Sequence, residues 1–466
     1  MWSLSPKIAA AAIFLAIFAF VAGAGLAQEP PEPQEPPPAP EEGRPPEGEI
    51  QPMDPGQVPP SPGQEPSPEV TPIPIPIGEE DTRTFGGQTF IDDVFQSTRN
   101  RWGFSLNAYQ AYTTDVAVYD EPRESSGITA FIPRIFFNAG RRKSTFHLDL
   151  GTGYRMYNNK EDMNSWDYSG NANYSHRFSK RTALKVTNQF TSAFNDAWSF
   201  LNLHSPISHS PNSSNEVLFN RQRINRNSFL ADLSHQFGRK ANLSLSGGYR
   251  WYDYAEDALN DSQTIDVGAF FHYRLAKWLY LASSFESYWN IVETDRPDSK
   301  IYRLRAAGVE FQLSDSWRIW ADGGVGISDY ETYIRTREDI SAGISYVAKD
   351  QSFNLTYQRG FTSAIGLSDL LISDIYSTSY GYRINPWVNT SLQAYYYRSS
   401  ELDGGLLETF SGGGGLEFAL RRDLFLTLNT YFQNQQTRNF SVDGLGLNRL
   451  TAYAGLQYVW PAGRRY

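Results

Sequence analysis

From Trp102 to the C-terminus, apolar and polar side chains alternate with a period of two. Between Thr145 and Met156, the residues Phe146, Leu148, Leu150, Thr152, Tyr154 and Met156 share one face, and His147, Asp149, Gly151, Gly153 and Arg155 share the other. Successive side chains of an extended strand point to opposite sides, so this is a strand with one apolar and one polar face. The same split separates Leu243, Leu245, Gly247, Tyr249 and Trp251 from Ser244, Ser246, Gly248 and Arg250. It separates Ile265, Val267, Ala269, Phe271, Tyr273 and Leu275 from Asp266, Gly268, Phe270, His272 and Arg274. In the last such segment Leu450, Ala452, Ala454, Leu456, Tyr458 and Trp460 oppose Arg449, Thr451, Tyr453, Gly455 and Gln457.

The connections alternate too. Short turns fall at Arg141-Arg142-Lys143, Ser179-Lys180-Arg181, Gly238-Arg239-Lys240, Ala276-Lys277, Ser314-Asp315-Ser316, Lys349-Asp350-Gln351, Asn385-Pro386 and Arg421-Arg422-Asp423. Between them the spacing predicts connections of about 10 to 15 residues, with a longer one near Ser192 to Asn225. A soluble sandwich does not sort its loops by parity, whereas a transmembrane barrel does, with short turns on one side of the membrane and longer loops on the other. A repeat underlies the pattern, since Tyr174 to Leu184 aligns with Leu233 to Leu243, and Phe271 to Leu281 and Leu416 to Leu426 are looser copies. Each copy ends a strand on an aromatic, turns on basic residues and starts a new apolar strand. Phe178, Phe237, Trp278, Trp317 and Trp387 therefore fall near one level, where they are expected to form an interfacial girdle. The fold class expected is all-β: a transmembrane antiparallel β-barrel of about 18 strands, within 16 to 18. An even number returns both ends to the same side. The segment from Ile128 to Ala139 fits least well because Pro133 interrupts it.

Composition fits such a barrel. Aromatic residues make up 15% of the chain while the mean hydropathy is −0.47, too polar for a bundle of membrane helices. Strands with one face to lipid keep the average low. The net charge of −10 comes with no basic tract, so no nucleic-acid footprint is present. The absence of cysteine excludes disulfides, a lipoprotein anchor, thiolate metal sites and a cysteine nucleophile. Residues 1–27 read as a signal peptide, with Lys7 in its positive region, an apolar stretch from Ile8 to Val21 and Gly25-Leu26-Ala27 at the cleavage site. Residues 28–84 form an acidic, proline-rich linker expected to be disordered and periplasmic, and residues 85–466 form the barrel.

No active site emerges. The six histidines, His147, His176, His204, His209, His235 and His272, are scattered without a metal-ligand pair, and no serine is singled out by its spacing. The Gly412 to Gly415 run lacks the Gly-Lys-Ser/Thr that follows a phosphate loop. Neither catalysis, a metal nor a cofactor is expected. The polar phase is more informative. It places Arg155, Arg177, Arg250, Arg274, Arg318, Arg383 and Arg449 inward, with Asp149, Asp232, Asp266, Asp322, Asp339 and Glu417. Charges of both signs within a barrel line water, because an unpaired charge away from water is costly. They are candidate pore-lining residues, acting as braces across strands, as the source of a transverse field, or both.

From Trp102 to Tyr466 the chain resembles outer-membrane porins of the β-barrel porin 2 type. The resemblance rests on the strand end Tyr380 to Ile384, on the basic hairpin turns and on the aromatics Tyr458 and Trp460. It implies outer-membrane localisation, lipid and lipopolysaccharide around the wall, and recognition of C-terminal aromatics by the barrel-assembly machinery. Pro461 to Arg465 separate Trp460 from the terminal Tyr466, so either aromatic is a candidate signal. In general porins the third outer loop narrows the lumen. By that resemblance the loop near Ser192 to Asn225, with Trp198, Arg221 and Arg223, is a candidate constriction. The function expected is a channel for diffusion of small hydrophilic solutes. The alternatives are an export channel for a surface polysaccharide, or a plugged structural or adhesive barrel with a periplasmic partner on the proline-rich segment.

Overall fold

A computed structural model describes residues 101–114, 125–194, 223–254, 261–292, 299–330, 333–363, 370–401, 404–438 and 446–461. The expected signal peptide, the proline-rich linker, Trp198, Arg221 and Tyr466 lie outside the described residues. The first nine strands are β1 (Arg101–Thr113), β2 (Ser126–Arg141), β3 (Ser144–Tyr157), β4 (Ser165–Arg177), β5 (Thr182–Phe194), β6 (Arg223–Phe237), β7 (Ala241–Tyr254), β8 (Ser262–Ala276) and β9 (Leu279–Val292). The second nine are β10 (Ser299–Gln312), β11 (Trp317–Tyr330), β12 (Tyr333–Val347), β13 (Gln351–Ser363), β14 (Leu370–Asn385), β15 (Val388–Glu401), β16 (Leu406–Arg421), β17 (Leu424–Arg438) and β18 (Leu447–Pro461). One 3₁₀ turn, Glu161–Met163, sits between β3 and β4.

Every strand pairs antiparallel with its neighbours in sequence, and β1 pairs with β18, so the eighteen-stranded sheet closes on itself. Closure leaves no edge whose backbone groups would face hydrocarbon unpaired. The closing pair runs from Gly103↔Pro461 to Thr113↔Thr451, which puts the start of β1 and the end of β18 at one rim. The short turns lie at that same rim. Their sequences explain their shape. Ser179 Oγ accepts from the backbone N–H of Arg181 and of Thr182, both at 3.1 Å. Ser314 Oγ accepts in the same way from Ser316 at 3.2 Å and Trp317 at 3.1 Å, and Asn385 Oδ1 accepts from Trp387 N–H at 2.8 Å. Such side-chain caps let two strands reverse within a few residues. Gly238, with φ at +71°, supplies the left-handed residue of another.

Most connections at the opposite rim are shorter than the sequence spacing implies, although residues 114–125 between β1 and β2 match it. Residues 331–332 alone join β11 to β12, and residues 364–369 join β13 to β14. The physical reason is strand length. A membrane-spanning strand needs about 9 to 11 residues, but these run to 13 in β1 and 16 in β14 and continue as paired sheet beyond the hydrocarbon. For the same reason the longest connection contracts from both ends to residues 195–222.

Side chains sort by the alternation. Leu150, Val267, Leu304 and Leu392 are 51 to 56% exposed, while Asp149, Asp266 and Arg303 on adjoining positions are buried. An apolar belt of this size around a closed sheet is untenable in water and is what lipid requires. The poor alternation of β2 has its own cause: Ile128, Ala130, Ile132 and Phe136 face inward and are buried, while Phe131, Ile135 and Phe137 are exposed outside. Both faces are apolar, so no period shows.

Candidate functional site: the inner wall

Two residues directly opposite in an antiparallel pair share a face, so the register carries the inward phase from strand to strand. On that phase lie Asp149 and Arg155 of β3, Arg177 of β4, Asp232 of β6, Arg250 of β7, and Asp266 and Arg274 of β8. On the same phase follow Arg318 and Asp322 of β11, Asp339 of β12, Arg383 of β14, Glu417 of β16 and Arg449 of β18. The wall therefore brings these charges to one inner surface, though not to one place.

Ten of these thirteen charges fall into three groups by partner or by level. Near the long-connection rim, Arg155 Nε donates to Asp167 Oδ2 at 2.6 Å and Nη2 to Oδ1 at 3.1 Å, a bidentate pair with both side chains buried. The Arg155 guanidinium also donates to the Tyr157 hydroxyl at 3.0 Å. Lower on the same side Asp149 pairs with Arg134 at 2.9 Å, and on the next wall Arg250 pairs with Asp266 at 3.2 Å.

The second group is a lattice across β9 to β13. Asp339, fully buried, accepts from Arg305 Nε on one carboxylate oxygen and takes Arg303 Nε on the other at 3.2 Å. Arg305 reaches Asp322 at 3.4 Å, and Arg303 reaches Glu286 at 3.8 Å while lying over the Tyr288 ring at 5.0 Å. With its carboxamide oxygen turned toward them, Gln358 accepts from Arg305 Nη2 and Arg303 Nη1, each at 3.2 Å. Arg303 Nη2 also donates to the Phe361 carbonyl. A β-bulge in β10, between Leu304 and Ala307 against β11, makes the geometry possible. It holds Arg303 and Arg305 inward and, by one extra residue, returns Gly308 and Glu310 to the inner face on the opposite phase. At the bulge, a Cβ on Gly324 would collide with the Leu304 carbonyl, so only glycine admits this approach of backbones.

The third group stands near the short-turn rim. Arg274 lies over the Tyr280 ring at 5.8 Å. Arg318 lies over Trp320 at 5.1 Å and donates to Ser345 Oγ at 3.3 Å. Arg177 and Arg383 occupy the same low level on β4 and β14. Charged, paired and wall-bound inside, apolar outside, and without an edge, the sheet admits one reading. The chain is an outer-membrane β-barrel of porin-like architecture.

No protein-family model matches the sequence, and no curated protein is similar to it. Solved structures resembling it are barrels. OccAB4 of Acinetobacter baumannii is 13% identical over 78% of this chain and 99% of its own, with a TM-score of 0.42. OpdK of Pseudomonas aeruginosa, crystallised with vanillate, is 12% identical over 78% and 98%, with a TM-score of 0.42. The siderophore receptor PirA of the same organism is 8% identical over 78% and 81%, with a TM-score of 0.43. These are likenesses between barrels and carry nothing about solutes.

Other expected residues fall elsewhere. Arg223 does not belong to a loop: it opens β6 opposite Phe194, on the outward phase of exposed Phe190. Its guanidinium donates to Ser192 Oγ at 3.0 Å and the Trp166 carbonyl at 2.6 Å, and covers the Phe194 ring at 5.0 Å. The aromatics Phe178, Phe237, Trp278, Trp317 and Trp387 are all exposed beside short turns, joined by Trp102 and Trp460, whose rings meet edge-on at 5.6 Å. Gly412 to Gly415 lie within β16. Among the described residues no group of three or more acidic or histidine side chains is placed to hold a metal ion. Sequence reasoning missed Arg134, Asp167, Glu286, Arg303 and Arg305. Of these, the Arg303-Leu304-Arg305 alternation was a visible signal, broken by Ala306-Ala307-Gly308 where the bulge falls.

Proposed function

We propose that this barrel is a non-catalytic channel for the diffusion of small hydrophilic solutes across the outer membrane. The observation that carries the reading is the closed ring of eighteen strands with a polar, charged inner face. A ring of eight strands is filled by its own side chains, whereas one of about 16 to 18 has the circumference for an aqueous passage. The arginine–carboxylate pairs support it further. Held in cross-strand lattices, they are fixed charges on the wall and present a permanent field to a passing solute.

The test is electrical. The full-length chain, purified and inserted into a planar lipid bilayer, is expected to give discrete, long-lived conductance steps that scale with salt concentration. Silence from protein that shows the heat-modifiable migration of a folded barrel would overturn the channel.

A further inference from the structure

The outer wall carries a charged ladder that the channel does not use. On β12 to β16 the outward phase is marked by exposed Ile340, Leu355, Tyr376, Leu392 and Phe410. On that same phase, toward the long-connection rim, stand Glu338, Arg359, Asp374, Arg398 and Glu408. Arg359 Nε donates to Glu338 Oε1 at 2.8 Å and its Nη1 to Asp374 Oδ1 at 3.1 Å. Arg398 lies 3.9 Å from Glu408 and is the most exposed of the ladder, at 59% of its side chain. Directly beneath runs a row of tyrosines. Tyr357 and Tyr376 have ring centroids 4.8 Å apart, Tyr376 and Tyr396 6.0 Å. Their hydroxyls are turned up to the carboxylates, Tyr357 donating to Asp374 at 2.9 Å and Tyr396 to Glu408 at 3.1 Å.

Charge facing hydrocarbon is strongly disfavoured, and the penalty fades only at the membrane interface. Exposed Trp166 and Trp289, near the same ends of β4 and β9, mark that interface on the rest of the wall. The ladder therefore meets headgroups. Below it the wall is concave. A shallow, open groove of about 970 Å³ has its near end on Leu392 and Gly414, below the ladder on β15 and β16, and runs across Leu428, Thr430, Ala452 and Ala454 to Gln110, Tyr112 and Gly127. These residues lie on the outward register rows of β15 to β18 and of β1 and β2. Down β15 the outward positions run Arg398, Tyr396, Ala394, Leu392, and down β16 Glu408, Phe410, Gly412, Gly414. Charge, ring, small residue and apolar trough follow in the order of headgroup, interface and acyl chain.

We propose that this face binds a phosphate-bearing glycolipid of the outer leaflet, its phosphate on Arg359 and Arg398 and an acyl chain in the groove beneath. Guanidinium groups match phosphate oxygens in charge and geometry. Glu338, Asp374 and Glu408 hold the arginines in place and offer oxygen ligands to the divalent cations that bridge neighbouring lipid phosphates. A second barrel would meet the trough with a convex wall and leave it unfilled, whereas a flexible chain fills it.

Full-length protein, stripped of lipid in detergent, is offered bis-phosphorylated lipid A with Mg²⁺, or the same glycolipid without its phosphates, and bound lipid is counted by native mass spectrometry. Retention of the phosphorylated form is expected, falling about tenfold in Arg359→Gln/Arg398→Gln. Arg421→Gln, at an exposed short turn, is expected to leave it unchanged. Where the double variant fails the heat-modifiability check for a folded barrel, Arg398→Gln alone, loosely paired and outward, serves in its place with a smaller loss. Equal retention of the phosphate-free lipid overturns the proposal, as does undiminished binding by the folded variant. Dimers that persist without lipid and bury this face overturn it as well.

Discussion

Asp339 shows how a single side chain can govern the inner wall. It is fully buried and takes an arginine on each carboxylate oxygen, Arg305 on one and Arg303 on the other. Burying either arginine without a counter-charge is more costly than the pair itself is stabilising. Asp339→Leu therefore leaves two guanidinium groups without their shared carboxylate, though Asp322, Glu286, Gln358 and the Phe361 carbonyl still reach them. Loss of one partner in such a buried set costs about 3 to 5 kcal/mol, and the midpoint of urea unfolding in detergent micelles should fall accordingly. A midpoint within error of the parent would mean that the lattice is wetter than its burial indicates. Nothing in the sequence around Asp339 announces this role, because its partners sit 34 and 36 positions away on β10. A period-two reading finds the face of a residue and is blind to the neighbour it meets there.

At the scale of the strand, legibility depended on contrast between faces. β3, β7, β8 and β18 were plain because one phase is apolar and the other polar. β2 was not, since its inward Ile128, Ala130 and Ile132 pack with Tyr109 and Tyr157 of the neighbouring strands while its outward residues meet lipid. β10 was half legible, because the bulge after Arg305 reverses the phase. Loop lengths were overestimated because pairing beyond the membrane needs hydrogen bonds but no apolar face, so those residues read as loop. Phase nevertheless makes a sharp prediction. Leu150 of β3 and Gln189 of β5 are both exposed, on opposite faces of the wall. Leu150→Arg places a charge in hydrocarbon near mid-strand and is expected to lower unfolding stability by about 2 to 4 kcal/mol. Gln189→Arg places the same charge in the lumen and should change it by less than about 0.5 kcal/mol. Equal effects in the same unfolding assay would contradict the assignment of inside and outside.

For the whole molecule, the inward arginines are not spread evenly along the axis. Carboxylate-paired Arg155, Arg250, Arg303 and Arg305 occupy the middle and the long-connection half. Arg177, Arg274, Arg318 and Arg383 come from β4, β8, β11 and β14, three or four strands apart along one stretch of the ring, and collect near the short-turn mouth. There, rings fix two of them in place, Tyr280 beneath Arg274 and Trp320 beneath Arg318. Stacking on a ring holds a guanidinium in place, and this mouth gathers four of the inward arginines. The mouth should therefore be the place where a channel built this way discriminates between signs of charge. In a bilayer with unequal potassium chloride on the two sides, Arg274→Gln/Arg318→Gln is expected to move the reversal potential toward the cation-selective direction relative to the parent. Arg250→Gln, higher on the wall and already facing Asp266 at 3.2 Å, would serve poorly as the comparison because it strands a carboxylate. Arg422→Gln, exposed at a short turn, removes a positive charge without touching the inner collar and is the proper control. A shift confined to the double variant locates the filter at the collar. The same shift in both would make it a property of the net charge around the rim, and no shift in either would place the discriminating field deeper in the barrel.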